Sequence, residues 1–281
     1  PNHHDLMRNA REVFEPGKFF PDLMVDEATA FIDQHREQPF FVYFAMNTPH
    51  YPYQGDVRWL EHYNAQHVKY PRNLYAAFLS TLDERIGRLL AAIDSRGLTE
   101  QTIVVFQSDH GHSTEERAHF GGGSAGPLRG AKFSLFEGGI RVPAIIRWPG
   151  RLPAGETRTQ PAHACDWLPT LAGLCGVKLP TAALDGRDLR AVIDSRTAPS
   201  PHDVLHWELG DAWAVRQDDW KLLGNPKDTS HKAPLTPSDK LFLVNLSDDV
   251  GEMHNRAATE PDVAARLQHL HDEWHKAVTA E

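Results

Sequence analysis

The sequence predicts an α/β fold: a mixed, mostly parallel sheet flanked by helices, followed by a small C-terminal subdomain of an antiparallel sheet plus a helix. Apolar runs of strand length alternate with helical periodicity up to residue 147. Two of these runs are apolar on both faces, as in a buried parallel sheet. After about residue 200 the pattern changes to short strands joined by polar turns. We therefore expect an α/β domain over residues 1–200 and a small α+β subdomain over residues 201–281.

The first elements are predicted from the spacing of apolar residues. Residues 1–21 carry Pro, Gly and mixed charge and predict an irregular lead-in, whereas residues 25–35 have helical spacing. Residues 40–46 form an aromatic and β-branched run that predicts a buried strand. The clearest helix follows, because residues 75–93 keep one apolar stripe and Gly97 fits its C-terminal end.

The later elements are predicted from strand-like runs and turn residues. Residues 102–107 predict a second buried strand, and residues 141–147 predict a third. The C-terminal elements expected are a hairpin over residues 212–223 with its turn at Asp218 and Asp219, a strand over 241–246 and an amphipathic helix over 261–278.

The composition is that of a folded protein with an acidic balance. Of the 281 residues, 41% are hydrophobic and 24% are charged, which is enough for a sizeable core. The formal net charge is −9 and no block of Lys and Arg occurs, so we expect no nucleic-acid partner. No apolar run reaches the length of a membrane span, so we expect no transmembrane segment.

The cellular compartment stays open. Cys165 and Cys175 are the only cysteines, and buried thiols are favoured over a disulfide because their spacing matches no metal or redox motif. The chain opens at Pro1 without an initiator Met, so an N-terminal leader is neither shown nor excluded. A periplasmic or secreted location is favoured.

Polar side chains follow two of the predicted strands. His50 comes after the first strand, and Asp109 and His110 come directly after the second. Ligands of α/β proteins collect at the carboxyl ends of strands, so these residues are candidates for chemistry. Asp109 beside an imidazole indicates a divalent-cation site, whereas a simple turn with a solvated histidine explains the same residues equally well.

A glycine-rich segment over residues 121–143 is the second candidate site. It contains seven glycines and the three basic residues Arg129, Lys132 and Arg141. Glycines let backbone N–H groups approach a ligand, and the cations would neutralise an oxyanion. A flexible loop with solvated cations is the alternative, but unstructured loops of this length are uncommon unless they are functional. The segment has no nucleotide-binding pattern.

Four consecutive motifs resemble the C-terminal signatures of type I sulfatases, which belong to the alkaline-phosphatase-like superfamily. They are Ser108-Asp-His-Gly111, Leu128-Arg-Gly-Ala-Lys132, Glu137-Gly-Gly-Ile-Arg-Val-Pro143 and Trp148-Pro-Gly150. Further matches lie in order on either side, so the similarity runs from about residue 25 to 260. Residues 1–200 would then be the C-terminal part of the sulfatase catalytic domain.

The resemblance implies a metal site and two catalytic residues. Asp109 and His110 would ligate a divalent cation, most often Ca²⁺, with Mg²⁺ or another divalent ion as alternatives; many family members have Asn where His110 stands. Lys132 would place its ammonium against the sulfate oxygens. His50 would donate a hydrogen bond to the sulfate or protonate the leaving alcohol.

Three further residues are candidates for binding substrate. His112 and His119 lie between the metal motif and the catalytic lysine, where the family places substrate-specific residues; exposed histidines are an equal alternative in a chain with 17 of them. Arg129 is the third candidate, although it is expected, with Glu137 and Arg141, to brace the loop instead.

The resemblance places the nucleophile outside this sequence. The family nucleophile is a cysteine in a C-x-P-S/A-R motif that is converted to formylglycine, and neither Cys165 nor Cys175 has that context. We therefore expect the formylglycine on a missing N-terminal segment of the same protein, which would be a partner of this chain. This chain alone is expected to hold an incomplete active site.

The function implied is that of a sulfuric ester hydrolase acting on a sulfated small molecule or glycan, with a carbohydrate or aryl sulfate as substrate. A phosphonate monoester or phosphodiester hydrolase of the same superfamily is one alternative, because the substrates differ by one negative charge. A non-catalytic relative that binds sulfated glycans is another. Tyr53, Trp207 and Trp213 are candidates for a sugar cleft or, as is more common for aromatic residues in strands, for the core.

Overall fold

The structure, a computed structural model, describes residues 6–181 and 183–280. The chain divides into two compact units. The first comprises Pro1–Thr102 with Glu115–Gly122, and the second comprises Ile103–Thr114 with Gly123–Glu281. The expected boundary between residues 200 and 201 stays a prediction.

The first unit is mainly helical. A short antiparallel pair, β1 (Leu6–Arg8) and β2 (Arg11–Val13), lies in the segment that was expected to be irregular. The helices are α1 (Phe20–His35), α2 (Val57–Ala65) and α3 (Arg72–Ser95), and α3 packs against both of the others. Two 3₁₀ turns, Thr99–Gln101 and Glu116–Ala118, complete the unit.

The long helix α3 forms the core of the first unit. Its apolar stripe buries Phe78, Leu82 and Ile93, and Gly97 follows its last turn with φ +68°, which confirms the predicted helix and its end. The helix also carries the buried Arg85. Its guanidinium lies 2.6 Å from an oxygen of Asp56 and 3.1 Å from an oxygen of Asp22 in α1, so the charge on this face is paired.

The strand predicted over residues 40–46 is wrong as a paired element. In the part of the chain that the structure describes, these residues belong to no sheet. They keep an alternating exposure, with Phe41 75% and Tyr43 83% exposed and the residues between them partly buried. Residues 40–46 therefore have the alternating side chains of a strand. In the described part of the chain, however, no neighbouring strand forms a ladder of hydrogen bonds with them.

The second unit contains the remaining sheets. The strand β3 (Val104–Gln107) pairs with β4 (Ala144–Arg147), and the helical turn α4 (Glu137–Ile140) lies between them in the chain. This pair is antiparallel, as is every strand pair among the described residues. The α/β class is confirmed, but the mostly parallel sheet is not seen in these residues, because the chain after β3 returns beside it in the opposite direction.

Two short helices follow β4: α5 (Trp167–Cys175) and α6 (Arg190–Asp194). Asp166 directly precedes α5, but its side chain does not cap that helix. It closes the preceding 3₁₀ turn instead by accepting from the His163 N–H at 2.7 Å, and it also accepts from the Arg187 N–H at 2.8 Å. Cys165 and Cys175 are free, and both are exposed at the two ends of α5, so the expectation of buried thiols is wrong.

The small C-terminal sheet and helix are confirmed. The strands β5 (Val204–Leu209), β6 (Ala212–Gln217), β7 (Trp220–Gly224) and β8 (Leu241–Asn245) form one antiparallel sheet in that order, followed by α7 (Pro261–Thr279). The turn at Asp218 and Asp219 joins β6 to β7 as predicted. The strand β5 was not predicted from the sequence.

The C-terminal sheet is buried on both faces. On one face, Ala214 and Leu223 pack with Phe136, and Trp207 joins this cluster. On the other face, Val215 and Leu222 pack with residues of α7 such as Leu267, and Trp213 joins them. Trp207 and Trp213 therefore serve the core, and the suggestion that they line a sugar cleft is not supported. No helix among the described residues has the length and apolar character needed to cross a membrane.

Candidate active site

The carboxylate and the imidazole of the proposed metal motif lie side by side directly after β3. The side chain of Asp109 is exposed, and its Oδ2 is 3.2 Å from Nε2 of His110. Nδ1 of His110 is 2.8 Å from the carbonyl oxygen of Gly111. A carbonyl only accepts, so Nδ1 carries the proton, and the neutral ring presents the lone pair of Nε2 next to the carboxylate. Two such acceptors at this distance need either a second proton on the ring or a cation.

The pair fits a divalent cation in part. A carboxylate oxygen is a ligand that Ca²⁺ and Mg²⁺ prefer, whereas an imidazole suits transition metals better. Ca²⁺ takes about six to eight oxygen ligands, and among the described residues Asp109 belongs to no group of three or more His, Cys, Asp or Glu side chains with converging ligand atoms. Asp109 and His110 thus supply two ligands at most, and the identity of the ion stays a prediction.

The segment after β3 is held against the glycine-rich segment by close backbone packing. The Gly111 N–H donates to the Gly139 carbonyl oxygen at 2.9 Å. A Cβ on Gly111 would lie 2.0 Å from the carbonyl oxygen of Gly138, and one on Gly139 would lie 2.1 Å from that of Ser134. These glycines therefore let backbone approach backbone, rather than ligand, and they position Asp109 and His110.

Lys132 lies on the segment next to the metal motif. Its backbone N–H donates to the carbonyl oxygen of His112 at 2.9 Å, and its Nζ lies 4.8 Å from the centroid of the Phe133 ring. Phe133 has φ +69° and is 52% exposed. His112 itself packs against Gly123, where an added Cβ would be 2.2 Å from the histidine Cβ. The second unit therefore brings together four of the sequence-predicted residues on two adjacent segments: Asp109, His110, His112 and Lys132.

Arg129 braces this loop. Its side chain is 1% exposed, and its nitrogens donate to Asp228 Oδ2 at 2.9 Å and to the carbonyl oxygens of Glu252 and Ala233 at 2.8 and 3.0 Å. The guanidinium also stacks 4.1 Å above the ring of Phe136. Every nitrogen of the side chain is engaged with protein groups, so the geometry supports the bracing role and not the alternative of a substrate contact.

A buried ion triad supports the same loop from the C-terminal sheet. Lys221 on β7 lies 2.9 Å from Glu137 in α4 and 3.0 Å from Glu252, and all three side chains are buried. Burial raises the pKa of Glu137, but the charge of Lys221 outweighs it and leaves the pKa below its ordinary value. Burial, helped by the neighbouring Glu137, raises the pKa of Glu252. The two carboxyl groups thus share one ammonium.

The residues that hold the loop were not predicted from the sequence. Asp228, Lys221 and Glu252 lie about a hundred residues beyond it, and no local pattern marks them. The family resemblance runs to about residue 260 and so covers Lys221 and Glu252, but it does not indicate their contacts with the loop.

His50 lies in the first unit. Its ring is exposed, and its Nδ1 is 2.7 Å from the carbonyl oxygen of Tyr51. The carbonyl again requires Nδ1–H, so Nε2 carries a proton only when the ring is the imidazolium. The preceding Thr48 is buried. His50 is therefore held in one orientation from its Nδ1 side.

His119 also lies in the first unit, in an aromatic cluster. Its Nδ1 is 2.7 Å from the hydroxyl of Tyr70, and its ring lies 6.0 Å from that of Tyr53. Tyr53 in turn packs edge-on against Tyr75 at 5.4 Å, and burial raises the pKa of both tyrosines. The convergence of His50 and His119 with the residues of the second unit on one pocket stays a prediction.

Known proteins are similar to this chain in sequence and in fold. A sulfatase family model matches residues 2–177. Arylsulfatase A of Bos taurus is 34% identical over 263 residues, which cover 88% of this chain and 48% of the relative. Arylsulfatase A of Homo sapiens is 33% identical over 273 residues, covering 90% and 50%. The solved structure of Ps i-CgsB in complex with k-i-k-neocarrahexaose has a TM-score of 0.80 at 26% identity and covers 95% of this chain and 56% of that chain.

These similarities place the chain in the alkaline-phosphatase-like superfamily. Within it, the chain belongs to the sulfatase family. The chain spans about half the length of the curated relatives that it matches. Membership of the family implies, in general, a divalent metal ion and a formylglycine.

Proposed function

We propose that the protein containing this chain is a sulfuric ester hydrolase that cleaves the sulfate ester of a carbohydrate or an aryl alcohol. The observation that carries the proposal is the 2.9 Å hydrogen bond from the Lys132 N–H to the His112 carbonyl oxygen. This bond joins the backbone of Lys132, the proposed cationic residue, to the segment that carries Asp109 and His110. The family match over residues 2–177 includes all four of these residues and supports the reaction class.

Lys132 is assigned to the charge of the sulfate group. As the S–O bond breaks, negative charge develops on the bridging oxygen, and an ammonium fixed beside it stabilises that charge. The formal net charge of this chain is −9, which repels an anionic substrate. A local cation is therefore needed to hold that substrate in place. The backbone hydrogen bond of Lys132 fixes the base of the side chain, which lowers the cost of positioning it.

His50 is assigned to the sulfate or to the leaving alcohol as a hydrogen-bond donor. Its Nδ1 faces the Tyr51 carbonyl oxygen at 2.7 Å, so only Nε2 is available to a substrate. Nε2 donates a proton only from the imidazolium, which means that His50 acts as an acid in its charged form. The neutral ring would accept instead and would not assist the departure of the alcohol.

Asp109 and His110 are assigned to a divalent cation, proposed to be Ca²⁺. When bound, such an ion supplies positive charge that polarises the sulfate oxygens. The carboxylate of Asp109 is the stronger candidate, since His110 Nε2 is a softer donor than Ca²⁺ usually takes. The other ligands and the formylglycine nucleophile are proposed to come from residues outside the sequence given, from the N-terminal segment of the same protein.

A carbohydrate sulfate is the proposed substrate class. The solved structure of Ps i-CgsB in complex with k-i-k-neocarrahexaose resembles 95% of this chain, which supports a carbohydrate as the substrate. The arylsulfatases among the relatives support an aryl sulfate as a convenient probe.

The proposal is tested with the natural protein that contains this sequence, assayed on an aryl sulfate and on a sulfated oligosaccharide. Lys132→Ala is expected to lower kcat about 10²- to 10³-fold, as removal of one transition-state donor does elsewhere. His50→Ala is expected to lower kcat as well. Lys178→Ala and His254→Ala are the matched controls, because both side chains are exposed and belong to no candidate site. Unchanged kcat in both test variants would refute the assigned roles.

Two rival functions are outcomes of the same assays. Hydrolysis of a phosphate diester or phosphonate monoester faster than any sulfate ester would replace the proposal with a phosphohydrolase. Binding of sulfated glycans without hydrolysis of any ester would replace it with a non-catalytic role.

A further inference from the structure

A group of metal-binding side chains lies on the C-terminal sheet, away from the sulfatase motifs in the sequence. Glu208 is on β5, and His271 and His275 are one turn apart on α7. Oε1 of Glu208 is 2.6 Å from Nδ1 of His275 and 3.4 Å from Nε2 of His271. The three ligand atoms lie within 4.8 Å of one another, and this is the one group of its kind among residues 6–181 and 183–280.

The central ligand is held rigidly. His271 is 4% exposed, and its ring stacks on that of Trp213 at 4.1 Å with an angle of 8° between the planes. Trp213 on β6 lies directly opposite Glu208 on β5 in the sheet. The same cross-strand pair therefore supplies both the ring that orients His271 and the carboxylate. The orientation of His271 is therefore set by packing in the core of the second unit, and its Nε2 faces Glu208.

Hydrogen bonding alone leaves part of this arrangement unexplained. One carboxylate oxygen faces two imidazoles, with a hydrogen bond to His275 at 2.6 Å and a longer approach of His271 at 3.4 Å. Nδ1 of His271 is buried and has no hydrogen-bond partner within the described part of the chain. A cation bound at Nε2 would replace the long 3.4 Å approach to Glu208 with a ligand bond, and Nδ1 would then carry the proton of the neutral ring.

Aromatic packing also fixes the surroundings of the buried ligand. The ring of His206 stacks on Trp274 at 4.8 Å, one residue before His275 on α7, and lies 6.1 Å from the ring of His271. The rings around His271 are therefore held in place by packing within the second unit.

We propose that Glu208, His271 and His275 form a binding site for a divalent transition-metal ion, with Zn²⁺ as the best fit. Two imidazole nitrogens and one carboxylate oxygen are a common zinc ligand set, and histidines four residues apart on a helix present both rings on one face. Glu208 and His275 are exposed while His271 is buried, so an ion has a route in from solvent and keeps one position for water. None of the three residues belongs to the proposed sulfatase site.

The test is a titration of the 281-residue chain, stripped with a chelator, with ZnCl₂ by calorimetry. Co²⁺ serves as a second probe, because its visible absorption reports the ligand geometry. The expected result is one tight Zn²⁺ per chain and a higher Tm in its presence. Glu208→Gln and His275→Gln change exposed side chains and are expected to weaken Zn²⁺ binding about 100-fold or more, since even outer-shell changes weaken metal binding by about 10- to 100-fold.

Two controls make the outcome specific. His269→Ala removes an exposed histidine from the same helix and is expected to leave Zn²⁺ binding unchanged. Asp109→Asn is also expected to leave it unchanged, which separates this site from the proposed sulfatase site. The inference is overturned if the chain binds no Zn²⁺ tightly, or if Glu208→Gln and His275→Gln bind it as the unchanged chain does.

Discussion

The fully buried ammonium of Lys221 lies 2.9 Å from a carboxylate oxygen of Glu137. This ion pair joins β7 of the C-terminal sheet to α4, five residues after Lys132. Glu252 completes the triad, since its carboxylate also contacts Lys221 and accepts the backbone N–H of Glu137. The C-terminal sheet is thus a support for the loop that carries the proposed catalytic lysine.

We predict that Lys221→Met destabilises the chain by about 3–5 kcal/mol, because it leaves two buried carboxylates without their cation. Urea unfolding followed by circular dichroism measures the effect. Lys178→Met, at an exposed position, is the control and is expected to change stability by about 0.5 kcal/mol or less. A Lys221→Met chain as stable as the control would show that the triad contributes little.

Arg129→Lys is predicted to destabilise the chain by about 3 kcal/mol even though it keeps the charge. A lysine reaches one of the three acceptors that Arg129 now engages and leaves the others buried and unpaired. Urea unfolding of the chain and KM of the natural protein are measured together, with the exposed Arg117→Lys as control. A raised KM with unchanged stability would favour a substrate contact over the bracing role.

Gly111→Ala is predicted to be destabilising, whereas Gly87→Ala is predicted to be stabilising. An added Cβ at Gly111 meets the Gly138 carbonyl oxygen at 2.0 Å, so the metal motif must shift, at a cost of about 1–3 kcal/mol or more. At Gly87, within α3, nothing lies within 4 Å of the added Cβ, and helix propensity favours alanine by about 0.5–1 kcal/mol. Thermal unfolding of both variants provides the comparison, and equal effects of the two changes would contradict it.

The stability of the second unit is predicted to fall as the pH falls from about 6.5 towards 4. Burial, with the nearby His271, lowers the pKa of His206 from 6.5 to about 4, so the unfolded chain binds a proton in this window and the folded chain does not. The contribution of His206 is then complete above the unfolded pKa and is lost as the pH falls towards the folded one. After discounting for partial exposure, it amounts to about 1 kcal/mol.

His206→Phe keeps a ring for stacking on Trp274 and removes the titration. Urea unfolding at pH 7 and at pH 5 is expected to show a smaller loss of stability in this variant than in the unchanged chain. His254→Phe, at an exposed position, is the control. The same loss in all three proteins would mean that other groups produce the acid sensitivity.

Local patterns predicted most of the helices and strands but not which strands before residue 150 pair with one another. The stripe of α3, the turn at Asp218 and Asp219, and the terminal helix α7 were all predicted because their periodicity lies within the element itself. Residues 40–46 failed as a paired strand for the opposite reason. A strand needs a neighbour, and a one-dimensional pattern does not contain it.

The sequence by itself determined the family, since its motifs from Ser108 to Trp148 have the residue types and the order of the sulfatase signatures. It also determined which side chains are able to do the proposed chemistry. Only the tertiary structure decided that Arg129 is a brace, that Lys221 is shared by two buried glutamates, and that Glu208 meets two histidines of α7. Such pairs lie tens of positions apart along the chain and come together only when the core packs, so no local pattern of residues specifies them.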